Sequence, residues 1–112
     1  MIQTGGFNTW LDVEVLFATL EKALTGDERI HFAVAGGAIP GHYARGLEWF
    51  EQRVKSSPHK DRYHLLGWLP AGDVPRLISE ANLGLNLDLI CAEGILGTRS
   101  RLLDWLLGEL PV

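Results

Sequence analysis

The stretch Ile30-His31-Phe32-Ala33-Val34-Ala35-Gly36-Gly37 is a short, almost continuous apolar run stopped by paired glycines. Such a run suits a strand buried on both faces, as parallel sheets require. On its N-terminal side, Trp10, Val13, Phe17, Leu20 and Leu24 recur at spacings of three and four. That period predicts one helical face, capped by Asn8 or Thr9, with Asp12 in its first turn and an end near Gly26. On the C-terminal side, Tyr43, Leu47, Phe50 and Val54 predict a second helix, closed by Ser56-Ser57-Pro58. Tyr63 to Trp68 is a further strand candidate with its exit turn. A helix follows, with Asp73 as expected N-cap, Pro75 in its first turn, and Leu77, Ile78 and Ala81 on its buried side. Leu83-Gly84-Leu85-Asn86-Leu87 is expected to be a fourth strand, and Leu102, Leu103, Leu106 and Leu107 mark a last helix.

Helices and strands therefore alternate, with connections long enough for right-handed βαβ crossovers onto a parallel sheet. The fold class is α/β. The first helix has no convincing strand before it, and Leu110-Pro111-Val112 stops where another would begin, so the domain is expected to be truncated at both ends.

The chain has 112 residues, 46% hydrophobic and 21% charged, which suits one modest globular domain over 1–112 and excludes disorder. Ten basic against fourteen acidic residues give a net charge of −4, which argues against a nucleic-acid polymer as partner. The lone Cys91 excludes an internal disulfide framework and is read as a bystander. Met1 to Thr4 leads straight into Gly5-Gly6 without the pattern of a secretory signal, so the expected location is cytoplasmic.

In an open parallel sheet, ligands bind beyond the carboxyl ends of the strands. Four loops are expected at that edge, and three carry glycines: Gly5 to Thr9, Gly36 to Gly41, and Gly67 to Asp73. Glycine lets a backbone approach a phosphate, yet it also simply makes tight turns. The fourth loop runs from Asp88 to Ser100. Within it and the next helix, Gly97, Thr98 and Ser100 offer small or hydroxyl-bearing residues, and Arg99 and Arg101 offer guanidiniums suited to phosphate. Asp104, about a turn inward, could accept from vicinal hydroxyls of a ribose; the alternative is that it pairs with Arg99 or Arg101. Trp68 could stack on a flat base or cover a sugar, or belong to the core. The four histidines show no metal-ligand spacing, and only His42 is expected near a ligand. No nucleophile elbow and no strict G-x-G-x-x-G turn is present.

Several stretches, taken in order, carry a resemblance. They are Gly5-Gly6-Phe7-Asn8-Thr9-Trp10, Gly67-Trp68-Leu69-Pro70, and Asp73 to Asn82. After them come Glu93-Gly94-Ile95-Leu96-Gly97 and Ser100-Arg101-Leu102-Leu103-Asp104-Trp105 running on to Pro111-Val112. Over essentially its whole length the chain resembles the nucleotide-sugar-binding domain of GT-B glycosyltransferases of the group 1 family. The resemblance implies a three-layer Rossmann-like domain with a mostly parallel sheet, one half of a longer two-domain hexosyltransferase. It implies a nucleotide-diphosphate sugar as donor, retention of configuration, no metal and no other cofactor. The acceptor domain and any peripheral membrane association would belong to the full-length enzyme, and the isolated domain would be inactive.

Position by position, the resemblance implies that Gly5 and Gly6 let the loop approach the donor diphosphate, with Asn8 a further substrate-binding candidate in that loop. Trp68 and Leu69 border the base, and Glu93, the catalytic candidate, faces the sugar hydroxyls. Leu96, Gly97 and Thr98 would give backbone N–H groups to the diphosphate. Asp104 would take the ribose and Arg101 the place of a neighbouring lysine. The chain departs from the family in three ways. Glu93 and Asp104 lie further apart than the usual glutamate pair. The opening loop lacks its usual Arg and Lys. Glu109 stands at a usual glycine. The diphosphate contacts are therefore expected to fall to Arg99 and Arg101. The competing expectation is a non-catalytic flavodoxin-like or receiver-like α/β module acting through protein contacts.

Overall fold

A computed structural model describes residues 1–38, 41 and 43–112. His42, expected near a ligand, lies outside the described residues, as does Pro40. The elements run β1 (Ile2–Thr4), α1 (Val13–Gly26), β2 (Phe32–Ala35), α2 (Arg45–Ser56), a 3₁₀ turn (Lys60–Arg62), β3 (Tyr63–Gly67), α3 (Asp73–Glu80), α4 (Ala92–Leu96) and α5 (Ser100–Leu107). The strands form one parallel sheet in the order β1-β2-β3, with Ile2 opposite Ala33 and Phe32 opposite Tyr63. The α/β parallel architecture expected from the alternation is present.

Side chains alternate across the sheet, so its two faces build two cores. Phe32 and Val34 of β2 join Leu16, Leu20 and Leu24 of α1 and Phe50 and Val54 of α2. On the opposite face, Ile2 of β1 joins Ile78 of α3 and Trp105 of α5. Helices thus cover both faces, the three-layer arrangement of a Rossmann-like domain. Among the described residues, no helix is long and apolar enough to cross a membrane.

Four expectations need correction. Ile2–Thr4 is a strand, contrary to the expectation that no convincing strand precedes the first helix. Three residues suffice because β1 is central and fully buried, with β2 on one side and Leu83–Leu85 on the other. Ile2 N–H donates to Leu83 O (2.9 Å) and Leu85 N–H to Ile2 O (2.9 Å). The expected fourth strand is reduced to this bridge at Gly84. The chain then swings across the start of α1, where Asp12 N–H donates to Leu87 O (2.9 Å) and Leu89 N–H to Trp10 O (2.7 Å).

That pairing explains the third correction. Thr9 and Trp10 form a turn and Leu11 bridges Asp88 in the facing segment, so α1 starts at Val13 and not near Asn8. Asp12 is the cap itself, accepting from Val15 N–H at 3.0 Å. The buried face is Leu16, Leu20 and Leu24, one turn apart. Fourth, Asp73 is the first residue of α3 rather than its cap, and Gly72 precedes it with no side-chain hydrogen bond.

The chain winds from β1 outward through β2 to β3, then returns across β1 to Leu83–Leu85. The winding therefore reverses at β1, and the crevice beyond its carboxyl end is where an open parallel sheet receives a ligand.

Candidate functional site

At that crevice the loop after β1 meets the loop after β2. Gly5 N–H donates to Ala35 O (2.8 Å), Phe7 N–H to Gly37 O (3.1 Å), and Gly36 N–H to Gly67 O (2.7 Å). Gly36 has φ +140°, and a Cβ there would lie 2.0 Å from Gly5 O. Only glycine lets the two loops approach this closely.

Helix α5 delivers the charge. Trp105 is fully buried, and its indole N–H donates to Thr4 Oγ1 at 3.1 Å, tying the helix to the end of β1. Its ring fills the space over Gly84, where a Cβ would come within 2.6 Å. Arg101 lies four residues earlier, on the same helical face. Its guanidinium reaches over the β1 loop, with Nη2 donating to Gly6 O at 3.3 Å, and it packs 3.6 Å from where a Gly5 Cβ would sit. Burial pulls the Arg101 pKa below its ordinary value; Asp88 opposes the shift and Arg99 adds to it. The group still carries its charge, in a place that desolvates it.

A cleft of about 300 Å³ opens here, lined by Thr4, Gly5, Gly6, Ala35, Trp68, Leu69, Val74, Ser100, Arg101 and Asp104. Trp68 is pinned by its indole N–H, which donates to Ala38 O (2.9 Å), yet the side chain remains 58% exposed. Trp68 is therefore not a core residue. Asp104 pairs with neither Arg99 nor Arg101, since the ion pairs among the described residues are Arg29–Asp27, Arg76–Glu80 and Arg99–Asp88. Six residues expected at a donor site thus share one cleft: Gly5, Gly6, Trp68, Leu69, Arg101 and Asp104.

The remaining expected residues lie elsewhere. Arg99 does not join Arg101 over the glycine loop. Its Nε donates to Asp88 Oδ2 (2.5 Å) in a largely buried ion pair, and its Nη2 to Glu93 O (3.2 Å). Asn86 Nδ2 donates to the same Asp88 oxygen at 2.9 Å. Arg99 is thereby engaged within the protein. With Trp10, Ala92, Glu93, Leu96, Gly97 and Thr98 it lines a second groove of about 420 Å³. The Gly97 N–H donates to Glu93 O (2.9 Å) at the end of α4, so it is not free for a phosphate. Asn8 lines neither the cleft nor the groove, because its loop turns down toward the core through Phe7. Its backbone carbonyl accepts from Leu11 N–H at 3.3 Å.

Sequence reasoning did not single out Asp88 or Trp10. Asp88 had a signal in the Asn86-Leu87-Asp88 spacing, which puts two polar groups on one side of an extended segment. Trp10 was assigned to the α1 face by its period. Among the described residues, no three His, Cys, Asp or Glu side chains gather as a metal-binding group. Comparison with protein-family models, with curated proteins and with solved structures returns no match.

Proposed function

We propose that this chain is the donor-binding half of a glycosyltransferase that moves a hexosyl group from a nucleotide-diphosphate sugar to an acceptor. The observation that carries the reading is the guanidinium of Arg101, held half-desolvated across the Gly5–Gly6 loop in the same cleft as Trp68 and Asp104. A partly buried cation with one weak partner among the described residues favours an anion beside it, and a planar guanidinium matches two phosphate oxygens. The start of α5 adds its positive dipole end.

In this proposal Arg101 takes the diphosphate. Asp104 accepts hydrogen bonds from the ribose hydroxyls, and Trp68 and Leu69 border the base. Glu93 faces the transferred sugar from the neighbouring groove. As the glycosidic bond breaks, negative charge grows on the departing diphosphate. A preoriented guanidinium stabilises that charge more than the ground state, which lowers the barrier without a metal. The configuration at the anomeric carbon is retained, and the acceptor and its proton-transfer groups sit on a second domain outside this chain. The chain alone binds donor weakly and does not turn it over.

The exposed Leu103, Leu106 and Leu107 on α5 favour a second reading, a non-catalytic α/β module that acts through protein contacts. Amide NMR titration with UDP, GDP and ADP separates the two. The donor-site reading expects shifts at residues 4–6, 68–69 and 100–104 with at least one nucleotide. No shift with any of them rejects it.

A further inference from the structure

β3 is an edge of the sheet. β1 is paired on both sides and β2 lies between β1 and β3. Among the described residues, the backbone of His64, Leu65 and Leu66 bonds to β2 alone. β1 is buried throughout, but every residue of β3 after Tyr63 is exposed. The edge also lacks formal charge: residues 63–72 contain no Asp, Glu, Lys or Arg, in a chain that is 21% charged. An open strand of this kind is a template for another strand, and the usual guards are charged side chains or a bulge. The charged guard is absent. The bulge is present but late: Leu65 pairs with Val34 and Gly67 with Ala35, which leaves Leu66 as the extra residue. The regular edge is therefore Tyr63, His64 and Leu65, as long as the pairing of β1 with β2.

The occupant that fits this edge is a second copy of the chain. Repulsion between two chains of net charge −4 is least where neither carries charge. Antiparallel pairing about a two-fold axis at His64 sets Tyr63 of one copy against Leu65 of the other, an aromatic and an apolar side chain, and His64 against His64. Each face of the sheet then continues across the axis, with α1 and α2 on the same side in both copies. The His64 ring is already held, since His31 Nδ1 and His64 Nε2 share a hydrogen bond of 3.0 Å. Less side-chain freedom is lost on pairing as a result.

We propose that β3 is a self-association surface, through which two copies of this chain join their sheets edge to edge. No residue of β3 lines the donor cleft, so the pairing does not depend on the donor-site reading.

Sedimentation equilibrium over a series of concentrations tests the pairing, on the chain, on His64→Glu, on His64→Lys and on the two variants mixed. The unaltered chain is expected to be a monomer–dimer system. Each variant alone sets like charges face to face at the axis and is expected to weaken the dimer by about tenfold or more. The mixture sets opposite charges there and is expected to recover the dimer. A monomer at every concentration overturns the proposal. So does a dimer equally strong in both variants, or a mixture no stronger than its parts. An open series of higher oligomers also overturns it, because a two-fold pairing uses up the edge. Amide hydrogen exchange needs no substitution: protection at residues 63–66 is expected to rise with concentration. A chain that dimerises without such a rise has its contact elsewhere, which overturns the proposal even if the variants do not fold.

Discussion

Two acidic side chains on neighbouring segments have opposite roles. Asp88 is committed to Arg99, with Asn86 completing its hydrogen bonds. Asp104 is exposed at the edge of the cleft, with no ion-pair partner among the described residues. Both carboxylates lie within reach of an arginine along the chain, and the sequence alone does not say which pair forms. The ion pair that forms joins residues eleven apart, and it depends on the path of Asn86–Leu89 across α1. This is why the sequence expectation brings Arg101 and Asp104 to one cleft, as the structure has them, but misplaces Arg99, expected beside Arg101 and paired instead with Asp88. The assignment of Asp104 predicts that Asp104→Ala weakens a nucleoside diphosphate by about tenfold, the loss of a charged hydrogen bond. A 2′-deoxynucleoside diphosphate should lose less. Parallel titrations of both ligands check this, and equal losses would remove Asp104 from the ribose.

The elements matter to the site through the contacts that fix their ends. β2 and α2 were legible because their apolar patterns are uninterrupted, Phe32 to Ala35 and the Leu47–Phe50–Val54 stripe, and β3 because Tyr63 to Gly67 is apolar but for His64. β1 was not, because Gln3 and Thr4 break its apolar character; its strand conformation comes from neighbours on both sides, which no local pattern records. The start of α1 was misread for a related reason. Trp10 has the helical period, but it and its neighbour Leu11 are drawn into pairing with a segment nearly eighty residues away. The loop after β1 is shaped just as strictly, by Gly36 beneath Gly5. A methyl group on Gly36 meets both a disfavoured φ and the Gly5 carbonyl. Gly36→Ala is expected to destabilise by about 3 kcal/mol, combining backbone strain with overpacking. Urea denaturation measures this. A loss under about 0.5 kcal/mol, the range of an ordinary surface change, would mean the two loops are not in contact.

At the scale of the whole molecule, the sheet divides labour between its faces. The α1–α2 face holds an aromatic cluster in which Tyr63 packs with Phe17, Phe32 and Phe50. The Tyr63 hydroxyl donates to Glu21 Oε1 at 2.7 Å, and Ser57 Oγ donates to the same oxygen at 2.7 Å. Burial raises the Tyr63 pKa far above the ordinary phenol value, and the Glu21 carboxylate adds to the rise. A pKa raised on folding stabilises fully below the unfolded value of 10.0 and loses that contribution as pH climbs beyond it. Stability should therefore be insensitive to this group below about pH 9 and fall above about pH 10, by up to about 1 kcal/mol per pH unit. Tyr63→Phe should flatten the alkaline limb, as read by denaturation at stepped pH; an unchanged limb would contradict the assignment.

On the other face, Trp105 and Thr4 lock α5 over the end of β1 and so aim Arg101 at the glycine loop, where the proposed diphosphate site lies. The most direct test is calorimetric titration of the chain and its Arg101→Gln variant with UDP, GDP and ADP. The expected result is saturable binding of at least one of them by the unaltered chain, with affinity at least tenfold weaker in a variant that keeps its thermal stability, as loss of a charged phosphate contact requires. Equal affinity in the two proteins, or no binding by either, would contradict the diphosphate site at Arg101.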